Sequence, residues 1–200
     1  MDKNITNKIS LFVPGRLCLF GEHSDWAGLY RVINADIVSG ASIVTGIEQG
    51  IYADVESYDL FAMRNISEEL RTTWVDFDSI MQVDELKKIA GSDSYFAYSA
   101  GVASYVCENY HVGGLKITIT KMTLPIKSGL SSSAAICVLV ARAFNLIYNL
   151  NLNTMGEMSI AFKGEQRTKS RCGRLDQACA FGVTPVLMTF DGEDIITLSA

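Results

Sequence analysis

Histidine and proline are the scarce residues of this chain, two and three of 200. With so few imidazoles, and with five cysteines (Cys18, Cys107, Cys137, Cys172, Cys179) of which no two form a C-x-x-C pair, the sequence offers no zinc-type ligand pattern. The odd cysteine count and the absence of an apolar secretory stretch after Met1-Asp-Lys-Asn-Ile point to reduced thiols and a cytoplasmic setting. No Pro-rich linker, internal repeat or low-complexity tract divides the chain. The longest apolar run, Ala134 to Ala141, is far too short to span a bilayer, so a membrane partner is not expected. Neither G-x-x-x-x-G-K-[ST] nor G-x-G-x-x-G occurs, which disfavours the common nucleotide-binding folds. Positive charge is in deficit: 17 Lys and Arg against 22 Asp and Glu, net −5. That argues against a nucleic-acid partner, which favours a basic stripe, but not against a small anion held by a local basic cluster.

What the chain does have is enough apolar residue, 48%, for a full core in one large domain. Residues 8–20 read as a strand broken at Pro14-Gly15, and 41–56 as one long strand or a bent pair. Short strands are expected at 60–66 and 70–76. Helices are expected over Val83 to Ala90, over Tyr95 to Tyr110 with Ser94 as N-cap, and from Ala134 to Ile147. A further helix runs from Thr154 to Arg167, with Thr154 and Glu157 at capping-box spacing. Leu115 to Thr120 is a strand after the Gly113-Gly114 break, and 183–190 and 194–199 are closing strands around Asp191-Gly192. Strands come early and helices later, which predicts α+β rather than a doubly wound sheet.

Three clusters stand out. In Leu124-Pro-Ile-Lys-Ser-Gly-Leu-Ser-Ser-Ser-Ala-Ala135 a Gly-Ser turn enters an apolar helix. Such a junction leaves backbone N–H groups unpaired at the positive end of the helix dipole, a natural seat for a phosphate. An ordinary serine N-cap is the alternative reading. The second cluster, Gly15-Arg16 through Gly21-Glu22-His23-Ser24-Asp25-Trp26-Ala27-Gly28, brings an arginine, two carboxylates and an imidazole to the end of an apolar strand. These donors and acceptors match sugar hydroxyls, or make a polar turn. The third, Glu165 through Cys172-Gly173-Arg174-Leu175-Asp176-Gln177, holds Arg167, Lys169, Arg171 and Arg174 within eight residues, where an even spread would put about 0.7. It is either a solvated helix end or a set of cations gathered around Asp176.

In this order the three clusters resemble the GHMP kinase family, with the galactokinase branch the nearest, over about residues 10 to 190. The resemblance implies an N-terminal GHMP-kinase-type domain spanning 1–200, with mixed β-sheets and helices packed on one side. It also implies ATP-dependent phosphoryl transfer to a sugar hydroxyl, at the anomeric position, with ATP and Mg²⁺ as cofactors and a sugar and ATP as small-molecule partners. Asp176 is then the catalytic base, with Arg16 beside it. Glu22, His23, Asp25 and Gly173 bind substrate, and Gly129, Leu130, Ser131, Ser132, Ser133 and Ala134 cradle the ATP phosphates. Ser133 and Glu165 hold the metal, an oxygen-seeking ion often bound by one carboxylate plus phosphates. Phosphoryl transfer asks for positioning and charge stabilisation more than covalent chemistry, which this residue set supplies.

The chain departs from the galactokinase pattern at Cys18 (usually Asn), at Gly28-Leu29 (usually Gly-Gly) and at Lys169-Ser170-Arg171 (usually Gly-x-Pro). The added cations suit an acidic sugar such as a uronate. Other readings are a kinase for a non-sugar alcohol such as mevalonate, whose kinases generally lack the Glu22, His23, Asp25 trio, and a non-catalytic galactokinase-like sugar sensor, which would need no base. Family members are typically longer, with a second domain carrying a Gly-rich third motif. The resemblance therefore implies an N-terminal part with weak or no turnover alone. Trp74 and Phe77 are candidates for a nucleobase pocket or for core packing. Oligomeric state is not legible.

Overall fold

The computed structural model describes residues 8–27, 30–31, 33–66, 76–124, 130–170 and 172–191, and the backbone alone over 194–199. Its frame is the pairing of two long antiparallel strands, β1 (Ile9–Phe20) and β2 (Gly40–Tyr58). The break expected at Pro14-Gly15 is a bulge instead: β1 runs through, and its register on β2 shifts between Pro14 and Arg16. A proline donates no ladder bond, so a bulge is where a strand tolerates it. β2 answers with a change of phase. Ser42, Val44 and Gly46 are buried before the irregularity, and Ile51, Ala53 and Val55 after it. A strand's side chains alternate faces, so the shift turns the odd-numbered residues inward.

β2 then forks the sheet. β1 lies along one edge, and the other edge is shared by β5 (Gly114–Met122), paired with 51–58, and β6 (Val186–Asp191), paired with 40–44. β3 (Phe61–Asn65) runs parallel to β5, β4 (Phe77–Ser79) antiparallel to β3, and β7 (Asp194–Ser199) antiparallel to β6. The result is the α+β arrangement read from the sequence, with one mixed seven-stranded sheet. The strand expected at 70–76 falls mostly outside the described residues, as does Trp74. Phe77 stacks on Phe96 at 4.5 Å and meets Phe61 edge-on, so it belongs to the core.

A four-residue turn of helix, α1 (Ser24–Ala27), follows β1, and α2 (Val83–Ala90) precedes three longer helices. These are α3 (Ala97–Asn109), α4 (Ser132–Tyr148) and α5 (Thr154–Glu165). α4 packs on β1, β2 and β5, and α3 and α5 pack on α4. The apolar run seen in the sequence lies in the centre of the fold: Cys137 to Ala141 are fully buried, and Phe144 stacks on Phe61.

Capping differs from the sequence reading. Asn153, not Thr154, caps α5, its Oδ1 accepting the Gly156 N–H at 2.9 Å. Glu157 turns inward and accepts from Arg142 Nε and Asn145 Nδ2, both at 2.8 Å. Arg142 also donates to the Ala180 carbonyl at 2.7 Å. A buried carboxylate needs such partners, and these tie α4 and α5 to the 3-10 turn over Asp176–Phe181. Ser94 accepts the Phe96 N–H just ahead of α3, which starts at Ala97. Among the described residues no helix is long and apolar enough to cross a membrane.

Candidate active site

The bulge in β1 turns Arg16 inward, where it is 9% exposed, and its backbone N–H donates to the Leu130 carbonyl at 3.3 Å. That bond sets the serine bend against β1. The guanidinium then bridges two carboxylates. Nε donates to Asp176 Oδ1 at 2.8 Å and Nη2 bonds the same oxygen, while Nη1 and Nη2 donate to Glu22 at 3.2 and 3.0 Å. Burial works against the Arg16 charge, but Asp176 and Glu22 outweigh it and hold the group above its ordinary pKa. Burial likewise pushes Glu22 up, and Arg16 reverses this, leaving that carboxyl below its usual range.

Ser131 completes the arrangement. It stands at the N-terminus of α4 in a left-handed conformation, φ 53°, and its side chain caps nothing. Its hydroxyl donates instead to Asp176 Oδ1 at 2.9 Å. The ordinary N-cap reading therefore does not hold here. Among the described residues no side chain accepts from the first-turn N–H groups of α4, and their own helix cannot reach them. All the hydrogen bonds that described residues make to the Asp176 carboxylate end on Oδ1. Oδ2 is left to accept from something else.

The turn after β1 is tightly constrained. Gly21 has φ 81°, and a Cβ there would meet the Ala41 carbonyl oxygen at 1.9 Å. His23 also has positive φ, 70°, and its ring is exposed, with Nδ1 accepting from Trp26 Nε1 at 3.2 Å. Asp25 is 6% exposed. Its Oδ1 accepts the Trp26 N–H and its Oδ2 the Leu175 N–H, both at 3.0 Å, so it joins this turn to the segment that carries Asp176. The sugar-facing trio of the sequence reading thus occupies three settings: Glu22 on Arg16, His23 in the open, Asp25 inside.

Glu165 ends α5 at 1% exposure and accepts from Gln177 Nε2 at 2.9 Å. The Ser133 hydroxyl and the Cys172 thiol stand close enough to favour its charged form. Burial pushes its carboxyl above the usual value, against the pull of those three donors, and Asp176 nearby adds to the rise. Burial does the same, more strongly, to Cys172. Gln177, wholly buried, also reaches the Cys172 sulfur at 3.2 Å. Neither Gln177 nor Cys172 carried a role in the sequence; Gln177 could have been found from its adjacency to Asp176.

A buried carboxylate whose partners are all neutral, beside a serine hydroxyl, is an oxygen donor set that suits Mg²⁺. Among the described residues no three His, Cys, Asp or Glu gather in metal-binding range, so phosphate oxygens would have to supply further ligands.

The remaining predicted residues are placed as follows. Ser132 is half-buried in the first turn of α4, Ala134 points into the core, and Leu130 packs on it. Gly129, Gly28, Leu29 and Arg171 lie outside the described residues. The described members of the basic cluster do not surround Asp176. Arg167 bonds Ser104 and Glu108 and stacks on Tyr105, Lys169 pairs with Asp93, and Arg174 lies over Phe162. The nearest cation argument for a uronate through Lys169 loses its free charge.

An uncapped helix start, a clamped aspartate and a buried carboxylate thus meet on the forked mixed sheet. Residues 97–183 match the family of GHMP kinases N terminal domain. The galactokinase of Pyrococcus furiosus is 32% identical over 179 residues, 88% of this chain and 45% of that one. The galactokinase of Thermococcus kodakarensis is 31% identical over 175 residues, 86% and 44%. In fold the chain is similar to Lactococcus lactis galactokinase complexed with galactose, with TM-score 0.73, 24% identity and 96% and 46% coverage. Methanococcus jannaschii mevalonate kinase has TM-score 0.70 at 18% identity, covering 96% and 56%. Residues 97–183 thus carry the match to the GHMP kinase N-terminal domain, and the curated relatives named here are galactokinases, of whose length the chain spans less than half.

Proposed function

We propose that this chain serves ATP-dependent phosphoryl transfer to a sugar hydroxyl, at the anomeric carbon, in the cytoplasm, with residues 1–200 acting as one GHMP-type domain. The observation that carries the reading is the asymmetry of Asp176. Three donors from Arg16 and Ser131 hold Oδ1, and no described residue bonds Oδ2 beside the start of α4. An acceptor hydroxyl bonded to Oδ2 gives up its proton there as its oxygen attacks the γ-phosphorus of ATP, while the bond from that phosphorus to the β–γ bridging oxygen breaks and ADP leaves with the electron pair. Arg16, locked between Asp176 and Glu22, keeps that carboxylate oriented and offsets charge as the phosphoryl group moves. The first-turn N–H groups of α4 and the Ser132 hydroxyl are the donors for phosphate oxygens. Glu165 and Ser133 would hold Mg²⁺, which when bound neutralises phosphate charge.

Product analysis with Mg-ATP and a panel of galactose, glucose, galacturonate and mevalonate tests this. A phosphorylated aldose, formed at a low rate by these residues alone and lost in Asp176→Asn while sugar binding persists, is the expected result. Phosphorylation of mevalonate or galacturonate with the aldoses untouched overturns the sugar assignment. Aldose binding with no transfer in any form of the protein favours a sensor.

A further inference from the structure

The turn that follows β1 contains an element that the proposed chemistry does not yet use. Trp26 is 46% exposed and Tyr30 52%, although both are large aromatics beside a polar turn. The indole N–H of Trp26 donates to His23 Nδ1 at 3.2 Å, with ring centroids 5.8 Å apart. Tyr30 meets the other ring edge-on at 6.5 Å. His23 holds a left-handed backbone, φ 70°, which costs a non-glycine residue free energy and persists only where the surroundings demand it. His23 follows directly on Glu22, which is bonded to Arg16, which is bonded to Asp176.

An indole N–H can only donate. The nitrogen that receives it must carry a lone pair, so the ring proton resides on Nε2. We propose that Trp26 is a positioning residue: its indole N–H fixes His23 in the Nε2–H form and orientation, so that His23 presents one N–H donor to an oxygen of the acceptor substrate. This rests on the carbohydrate reading above and refines it. The position facing His23 carries an acceptor oxygen, and an acceptor lacking that oxygen is discriminated against.

The test separates the bond from its purpose. The chain has only two histidines, so ¹⁵N-labelled protein gives two imidazole spin systems, and His23→Gln identifies that of residue 23. At a pH where imidazole is neutral, the wild type is expected to show its proton on Nε2 and an Nδ1 resonance displaced by hydrogen bonding. In Trp26→Phe, which keeps an aromatic ring but has no N–H, the Nδ1 resonance moves toward its free position. The same substitution weakens galactose binding about fivefold to tenfold, the value of one hydrogen bond. His23→Gln, whose amide N–H₂ replaces the Nε2–H donor, retains more affinity than His23→Ala. An Nδ1 signal unmoved by Trp26→Phe, or a wild-type proton on Nδ1, overturns the proposal while leaving the carbohydrate reading intact. Nδ1 shifting as expected in a protein that binds no aldose overturns the carbohydrate reading, and the assigned purpose with it.

Discussion

The α-carbon of Gly173 lies against the carboxylate of Asp25: a Cβ on Gly173 would fall 1.7 Å from Oδ2. Asp25 cannot easily retreat, because the N–H groups of Trp26 and Leu175 hold its two oxygens. Gly173→Ala is therefore expected to destabilise the chain by about 1–3 kcal/mol, the cost of overpacking, seen as a fall in Tm. Asp25→Ala added to Gly173→Ala relieves the clash, so the pair is less damaging than the sum of the single changes. Additive losses would show that the two residues do not compete for the same space.

Ser131→Ala distinguishes a cap from a ligand of Asp176. Loss of a true N-cap costs about 1 kcal/mol. Ser131 caps nothing, so its replacement is expected to shift Tm by less than half that, while phosphoryl transfer falls because one donor on Asp176 Oδ1 is gone. A full capping loss in urea or thermal unfolding would contradict the observed geometry.

Glu22 sets an acid-side pH dependence. Its carboxyl is held below the usual value in the folded chain, so the stabilisation is present above the unfolded value of about 4.3 and is lost as pH falls through the lower folded value. The Glu22 side chain is 46% exposed, which keeps the effect below about 1 kcal/mol. Wild type should exceed Glu22→Gln in urea stability near neutrality, and the difference should close below that value. A gap that widens in acid would mean the pairing with Arg16 is not what lowers the carboxyl.

Glu165→Gln is expected to leave a folded chain that no longer responds to Mg²⁺. With ADP and Mg²⁺ at about a hundredfold above Kd, binding stabilises the wild type by about 2.7 kcal/mol, or roughly 5–10 °C in Tm. The variant should show only the metal-free response to ADP. An unchanged Mg²⁺ response would remove Glu165 from the metal set.

Much of this was open to reading from the chain. Arg16, Asp176 and the serine bend were recognisable because each sits in a short motif whose order carries information. The apolar run from Ala134 located the central helix. Asp25 and Glu22 were legible as polar residues on a turn, but not in their settings. One accepts backbone N–H groups from residue 175 and its own neighbour, the other the guanidinium of an arginine six residues earlier in β1. Arg167 and Lys169 looked like a cationic wall around Asp176, because adjacency in sequence says nothing about side-chain direction. They point to Glu108 and Asp93 on and before α3. The Thr154 cap was displaced by one residue, since Asn153 caps equally well and Glu157 was claimed by Arg142.

Local chemistry, then, was the sequence's own: apolar periodicity chose the elements, and residue type at each turn chose what could bind there. Tertiary structure alone decided which atoms meet. Arg16, Ser131 and Asp176 are separated by more than a hundred residues in one case and by 45 in another, yet they share a single carboxylate oxygen. A contact of that kind comes from the bulge in β1 and the packing of α4 on the sheet, because side-chain direction is set by strand phase and helix docking, and neither is written in any local stretch of chain.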